Sequence, residues 1–178
     1  MLLLASQYGH ILNVKLLLNT DVDVDSVRGN SGSVLQAALI EGHQGIVEIL
    51  LNKGASVDVE GGRYGNALQA ASSKGHKNIL LKLLRSGANI NAQGGKYGCA
   101  LQAACARGHV KVVKILLNRG AKDIDIDAEG GYYGTALQAA CIRDRSEAVK
   151  MLLKNGANAN AEGGKYGNAL QAACETGH

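Results

Sequence analysis

The sequence has no phenylalanine, no tryptophan and no proline, and its aromatic content, all tyrosine, is 3%. A core made from this composition is aliphatic, drawn from Leu, Ile, Val and Ala, and hydrophobic residues at 46% of 178 positions are enough to build one. Strong charge of one sign is also missing. The formal net charge is +4, too small an excess to point to nucleic acid as the main ligand. No apolar run approaches the ~18 residues of a membrane span. The opening "MLLLASQYGH" has three leucines but neither a basic leader nor a long enough apolar run for a secretory signal. Four cysteines without a C-x-x-C pair fit a reducing compartment, and the expected location is cytoplasmic.

What is abundant is glycine, 24 residues, and most of it sits at fixed places in a repeat. Nearly the same eleven residues recur as "GGRYGNALQAA" at 61–71, "GGKYGCALQAA" at 94–104, "GGYYGTALQAA" at 130–140 and "GGKYGNALQAA" at 163–173, with a worn copy, "GNSGSVLQAA", from Gly29. The Leu-Gln pair falls at Leu35, Leu68, Leu101, Leu137 and Leu170, in steps of 33, 33, 36 and 33. A Gly-His marker accompanies it at His10, His43, His76, His109 and His178; Asp144-Arg145 stands in the one place it skips. A Gly-Ala pair closes the units at Gly54, Gly87, Gly120 and Gly156.

The unit from Gly61 to Gln93 reads as two short helices and an extended arm. Asn66 offers a side-chain oxygen to cap the first helix. Leu68, Ala70 and Ala71 give that helix an apolar side of small residues, and Gly75 ends it. From about His76 a second helix carries Ile79, Leu80, Leu83 and Leu84 at the spacing of one buried face, closed by Gly87 in a left-handed C′ position. One such unit cannot bury its own apolar face, whereas stacked copies bury each other's, so the repetition is a packing requirement.

A 33-residue period of paired helices is the signature of ankyrin repeats, and the chain resembles that family along essentially its whole length. Where the family commonly has Thr-Pro-Leu-His at the start of the first helix, this chain has Asn-Ala-Leu-Gln at 66–69, Cys-Ala-Leu-Gln at 99–102 and Thr-Ala-Leu-Gln at 135–138. The resemblance implies an all-α solenoid with extended arm and turn fingers. The expected layout is a single array over 1–178, with a partial unit over 1–27, repeats over 28–60, 61–93, 94–129 and 130–162, and a partial unit over 163–178. The GGxYGxALQAA variant is similar to arrays of filamentous fungi that form the sensor part of nucleotide-binding receptors.

Catalytic and metal chemistry find no support in the pattern. Equivalent residues on stacked repeats lie about one helix-packing distance apart, ~8–10 Å, so His43, His76 and His109 form a ladder and not a ligand cluster. Each histidine is expected to bond backbone in the turn between its helices. Cys105, Cys141 and Cys174 are likewise equivalent rungs, too far apart for a disulfide, and read as buried small packers, with Cys99 at a helix cap. The glycine clusters do not match a phosphate loop. No enzyme activity, cofactor or metal is expected.

Function is expected where repeats differ, because a constant frame cannot encode a particular partner. The residue before the tyrosine column runs Asn30, Arg63, Lys96, Tyr132, Lys165. The end of the first helix runs Tyr8, Glu41, Lys74, Arg107, Arg143, Thr176. Both columns are basic in the middle, which fits either a solvated charged face or a basic centre for an acidic protein. An acidic-to-polar column, Glu60, Gln93, Glu129 and Glu162, runs beside them. The candidate binding residues are Arg63, Lys74, Lys96, Arg107, Tyr132, Arg143 and Lys165. Tyr132 occurs once, beside a three-residue insertion between Ala121 and Glu129 that is expected to bulge outward, and is the candidate anchor. The constant Tyr64, Tyr97, Tyr133 and Tyr166 read as packing over the junction of arm and helix. The expected role is a monomeric protein-interaction module using the concave side made by first helices and arms. The alternative is a non-catalytic accessory domain of a multidomain enzyme.

Overall fold

A computed structural model of the chain describes residues 1–120 and 123–177. Eleven α-helices are found among them. The first helices of successive units are α1 (Leu2–Gln7), α3 (Val34–Ile40), α5 (Ala67–Lys74), α7 (Ala100–Arg107), α9 (Ala136–Ile142) and α11 (Ala169–Thr176), set between the second helices α2 (Ile11–Leu17), α4 (Gln44–Asn52), α6 (Lys77–Arg85), α8 (Val110–Arg119) and α10 (Ser146–Lys154). Each first helix except α11 packs on its second helix, and all six pack on the first helices beside them, in the order α1, α3, α5, α7, α9, α11. The core follows that line: Leu35, Leu68, Leu101 and Leu137 are buried between rungs, and Leu50, Leu83, Leu116 and Leu152 fill the layer behind them. The second helices therefore carry the i, i+3, i+4 stripe, while the first helices are small and buried on nearly every side.

The recurring glutamine does two jobs at each rung. Oε1 of Gln69 accepts from the N–H of Asn66 at 2.7 Å, while Oδ1 of Asn66 accepts from the N–H of Gln69 at 3.0 Å, a reciprocal capping box. The free amide hydrogens then cross to the next repeat, where Nε2 donates to the carbonyls of Ala92 at 2.8 Å and Gly98 at 2.6 Å. Gln36, Gln102 and Gln138 repeat the arrangement. One side chain thus starts a helix and fastens the following finger.

Each finger is a tight reversal. In the first, β1 (Val27–Arg28) pairs antiparallel with β2 (Gly32–Ser33) around a 3-10 turn at Gly29–Ser31, and later fingers keep a single bridge between the first and third glycines, as in Gly94 with Gly98. The middle glycine is required twice over. Gly95 has φ +59°, and a Cβ there would lie 2.3 Å from the Tyr64 carbonyl carbon of the preceding finger. Fingers approach so closely because their backbones are bonded tip to tip: Arg63 N–H donates to Asn30 O at 3.1 Å, Lys96 to Arg63 at 2.9 Å and Tyr132 to Lys96 at 2.9 Å.

A second ladder joins the arms. Asp25 accepts from the N–H of Ser56 at 2.9 Å, Asp58 from Asn89 at 3.1 Å, Asn91 from Asp125 at 3.0 Å and Asp127 from Asn158 at 2.9 Å. The insertion is absorbed before this ladder resumes at Asp125. Its first positions, Ala121 and Lys122, lie outside the described residues, as does His178. The rest does not bulge as expected. Ile124 is half-buried against the core, its N–H donates to Gly120 O at 2.6 Å, and the Asp123 carbonyl accepts from Nδ2 of Asn91 at 2.5 Å. A β-branched apolar side chain gains by turning inward, and the carbonyl gains a donor from the neighbouring arm at the surface.

The histidine expectation also needs correction. Nε2 of His43 donates to Gln7 O and Nε2 of His109 to Ser73 O, both at 3.0 Å, so each ring spans to the preceding unit and not to its own turn. The rings lie over Gly9 and Gly75, where a Cβ would collide with them at 2.7 Å. At His76 burial pushes the imidazole below its ordinary range, with the Lys74 and His109 charges adding to the effect.

Candidate functional site

The tyrosine column is a stack. Tyr64 and Tyr97 have ring centroids 6.2 Å apart and Tyr97 and Tyr133 6.1 Å, with interplanar angles of 21° and 17°. Tyr97 and Tyr133 are buried at 4% and 3% exposure, so the expectation of packing holds, but the rings pack on one another. The Tyr133 hydroxyl meets a side chain: Nη2 and Nε of Arg143 donate to it at 2.7 and 3.3 Å, and the guanidinium carbon lies 5.5 Å from the ring centroid. Burial pushes the Tyr97 hydroxyl above the usual phenol range, an effect that the Arg107 and Arg63 charges oppose. It therefore keeps its proton at neutral pH.

A pocket of about 330 Å³ opens beside this stack, lined by Arg63, Lys96, Arg107, Arg143 and Arg145 together with Tyr97, Tyr133 and Ala106. The fold brings these cations from three places. Fingers supply Arg63 and Lys96, the ends of α7 and α9 supply Arg107 and Arg143, and the cap before α10 supplies Arg145. Among the described residues none of them has a carboxylate within ion-pair distance; the two ion pairs found are Lys82–Glu48 at 3.2 Å and Lys150–Glu147 at 3.0 Å.

Of the seven positions singled out from the sequence, four converge here: Arg63, Lys96, Arg107 and Arg143. The other three do not line the pocket. Lys74 is half-buried at the end of α5, one repeat earlier. Tyr132 is 49% exposed and stands edge-on to Tyr133, 5.1 Å between centroids. Lys165 folds over the ring of Tyr166, 4.9 Å from its centroid. The neighbouring acidic-to-polar column turns away: the Gln93 and Glu129 side chains lie across Gly130 and Gly163 of the next finger.

Arg145 escaped the sequence reading. It occupies the rung of His43, His76 and His109, and its Cδ would meet a Cβ on Gly108 at 2.8 Å, as His109 would meet one on Gly75. The signal was the broken Gly-His marker itself. Asp144, the residue in glycine's place, is the one non-glycine with positive φ among the described residues, at +51°.

The cysteines divide by position. All four are free thiols; Cys99 and Cys105 are buried, Cys141 is half-buried and Cys174 is exposed. The expectation of buried packers therefore fails at Cys174, beyond which no described helix packs; the neighbouring Leu170 is exposed as well.

Stacked helix pairs with protruding turns define a helical solenoid. The family profile described as ankyrin repeats (3 copies) matches residues 2–94 and 69–163, and the chain belongs to that family. Among solved structures it is similar to the human ASB11 ankyrin repeat domain, with a TM-score of 0.78 and 31% identity over 97% of this chain and 76% of that one. No curated protein matches it. Ankyrin repeats are protein-interaction modules, and no helix among the described residues is long and apolar enough to cross a membrane.

Proposed function

We propose that this chain holds an acidic protein partner on the face shared by the fingers and the ends of the first helices. The array is read as one unit over 1–178, working as a monomer in the cytoplasm without cofactor or catalysis. The observation that carries this reading is the convergence of four independently variable cations, from both columns, on one pocket without carboxylate partners. The similarity of the GGxYGxALQAA units to fungal arrays supports a sensing role within a larger receptor. Tyr132, half-exposed at the rim and backed by Tyr133, suits an anchor.

The test compares two faces. Lys96→Glu with Arg107→Glu should slow association with an acidic partner, and the loss should shrink at high salt. Tyr132→Ala should instead speed dissociation with little salt dependence. Reversals on the second helices, at the exposed Lys77 and Lys111, should change neither rate. A larger loss from the second-helix reversals would place the partner on the opposite face.

A further inference from the structure

The pocket beside Tyr97 and Tyr133 holds more positive charge than a single carboxylate can use. Four guanidinium groups and one ammonium line a space of about 330 Å³. Arg143 is held in place by two donations to the Tyr133 hydroxyl and by contact with the ring, so its remaining donors are fixed in direction before any ligand arrives. Asp144 lies between Arg143 and Arg145 in sequence but does not line the pocket and pairs with neither. Gathering like charges without a counter-ion costs stability, and a bound anion offsets that cost.

We propose that this pocket takes a phosphomonoester, carried by a phosphorylated side chain of the protein partner. A phosphomonoester has about −1.5 to −2 charge at neutral pH and three acceptor oxygens, which several arginine forks can share. A carboxylate has one charge and two oxygens and leaves most of these donors unmatched. The shape argues for a compact group over a nucleic-acid strand. Along the helix-end column the positive charge runs only one rung past the pocket, to Lys74, and stops at Glu41 on that side and Thr176 on the other, so the basic track is three rungs long. The inference rests on the reading of this face as the partner surface.

The whole chain is titrated with phenyl phosphate, with a short phosphoserine peptide and with the same peptide carrying glutamate instead, following amide shifts and heat. The phosphopeptide should bind at least tenfold more tightly than the glutamate peptide, and phenyl phosphate should displace it. Arg107→Ala and Arg143→Ala should each weaken phosphopeptide binding about tenfold with the fold intact by circular dichroism. Arg143→Lys should recover only part, because an ammonium lacks the fork. Lys111→Ala, on a second helix, should have no effect. Equal binding of the two peptides, unchanged affinity in both arginine variants, or tighter binding of a single-stranded oligonucleotide that phenyl phosphate cannot displace would overturn the proposal. If phosphate fails while Lys96→Glu with Arg107→Glu still weakens an acidic partner, the phosphate inference falls alone. If phosphate binds but those reversals leave the partner untouched, the partner surface has been misplaced.

Discussion

Nε2 of Gln69 donates to the carbonyl of Gly98, 29 residues further along, at 2.6 Å, in a position closed to solvent. The same side chain caps its own helix and bonds Ala92. Gln69→Leu should therefore strip two buried groups and one half-buried group of their partner and cost about 3 kcal/mol in urea unfolding. Gln171 keeps only the capping half of the arrangement and is exposed, so Gln171→Leu should cost less than about 1 kcal/mol. Similar losses at both positions would show that the cross-repeat bonds contribute little.

Leu101 and Leu170 occupy the same place in the repeat, at 1% and 73% exposure. Leu101→Ala should destabilise by about 2–5 kcal/mol, and Leu170→Ala by no more than about 0.5 kcal/mol. Native-state hydrogen exchange should follow the same gradient, slowest across 67–117 and fastest in α1 and α11. Uniform protection along the chain would contradict it.

Asp144 holds a left-handed backbone where Gly42, Gly75 and Gly108 stand in other units. Asp144→Gly should relieve this and stabilise the fold by about 1 kcal/mol, read as a higher urea midpoint. It also removes the nearest carboxylate in sequence from Arg143 and Arg145, so phosphate affinity should not fall. A destabilised variant would mean that the aspartate makes a compensating contact.

Thiol chemistry should report the burial order directly. Cys174 should react fast with an aromatic disulfide reagent, Cys141 slowly, and Cys99 and Cys105 only on unfolding. Burial pushes the Cys99, Cys105 and Cys141 thiols up, so the folded state holds these protons more tightly than the unfolded state. Their contribution to stability is fully present below the unfolded thiol's pKa of about 8.5 and is lost as pH rises above it. Replacing Cys105 by Ala should flatten the alkaline fall in unfolding midpoint.

The helices, their period and the glutamine register were legible because burial and capping impose them on every rung in the same way. Four pocket residues were legible because Arg63, Lys96, Arg107 and Arg143 vary within a fixed frame. Arg145 was not, because a broken marker looks like drift until Gly108 shows that a long side chain can lie where an imidazole does. Nor was the floor. A constant tyrosine gives the same signal whether it packs on a helix or, as Tyr97 and Tyr133 do, on its own counterpart one rung away. The inward turn of Ile124 was hidden for a similar reason, since loop length alone does not say which side chain finds the core.

The finger tips are joined through main-chain atoms alone, from Asn30 to Arg63 to Lys96 to Tyr132. Register along this row is consequently indifferent to what the side chains are. Each tip is free to change its chemistry from one generation to the next without disturbing its neighbours, and the row can acquire a new ligand one position at a time. A single residue type is barred, because a tip without an N–H would cut the row. That residue is proline, and the sequence contains none.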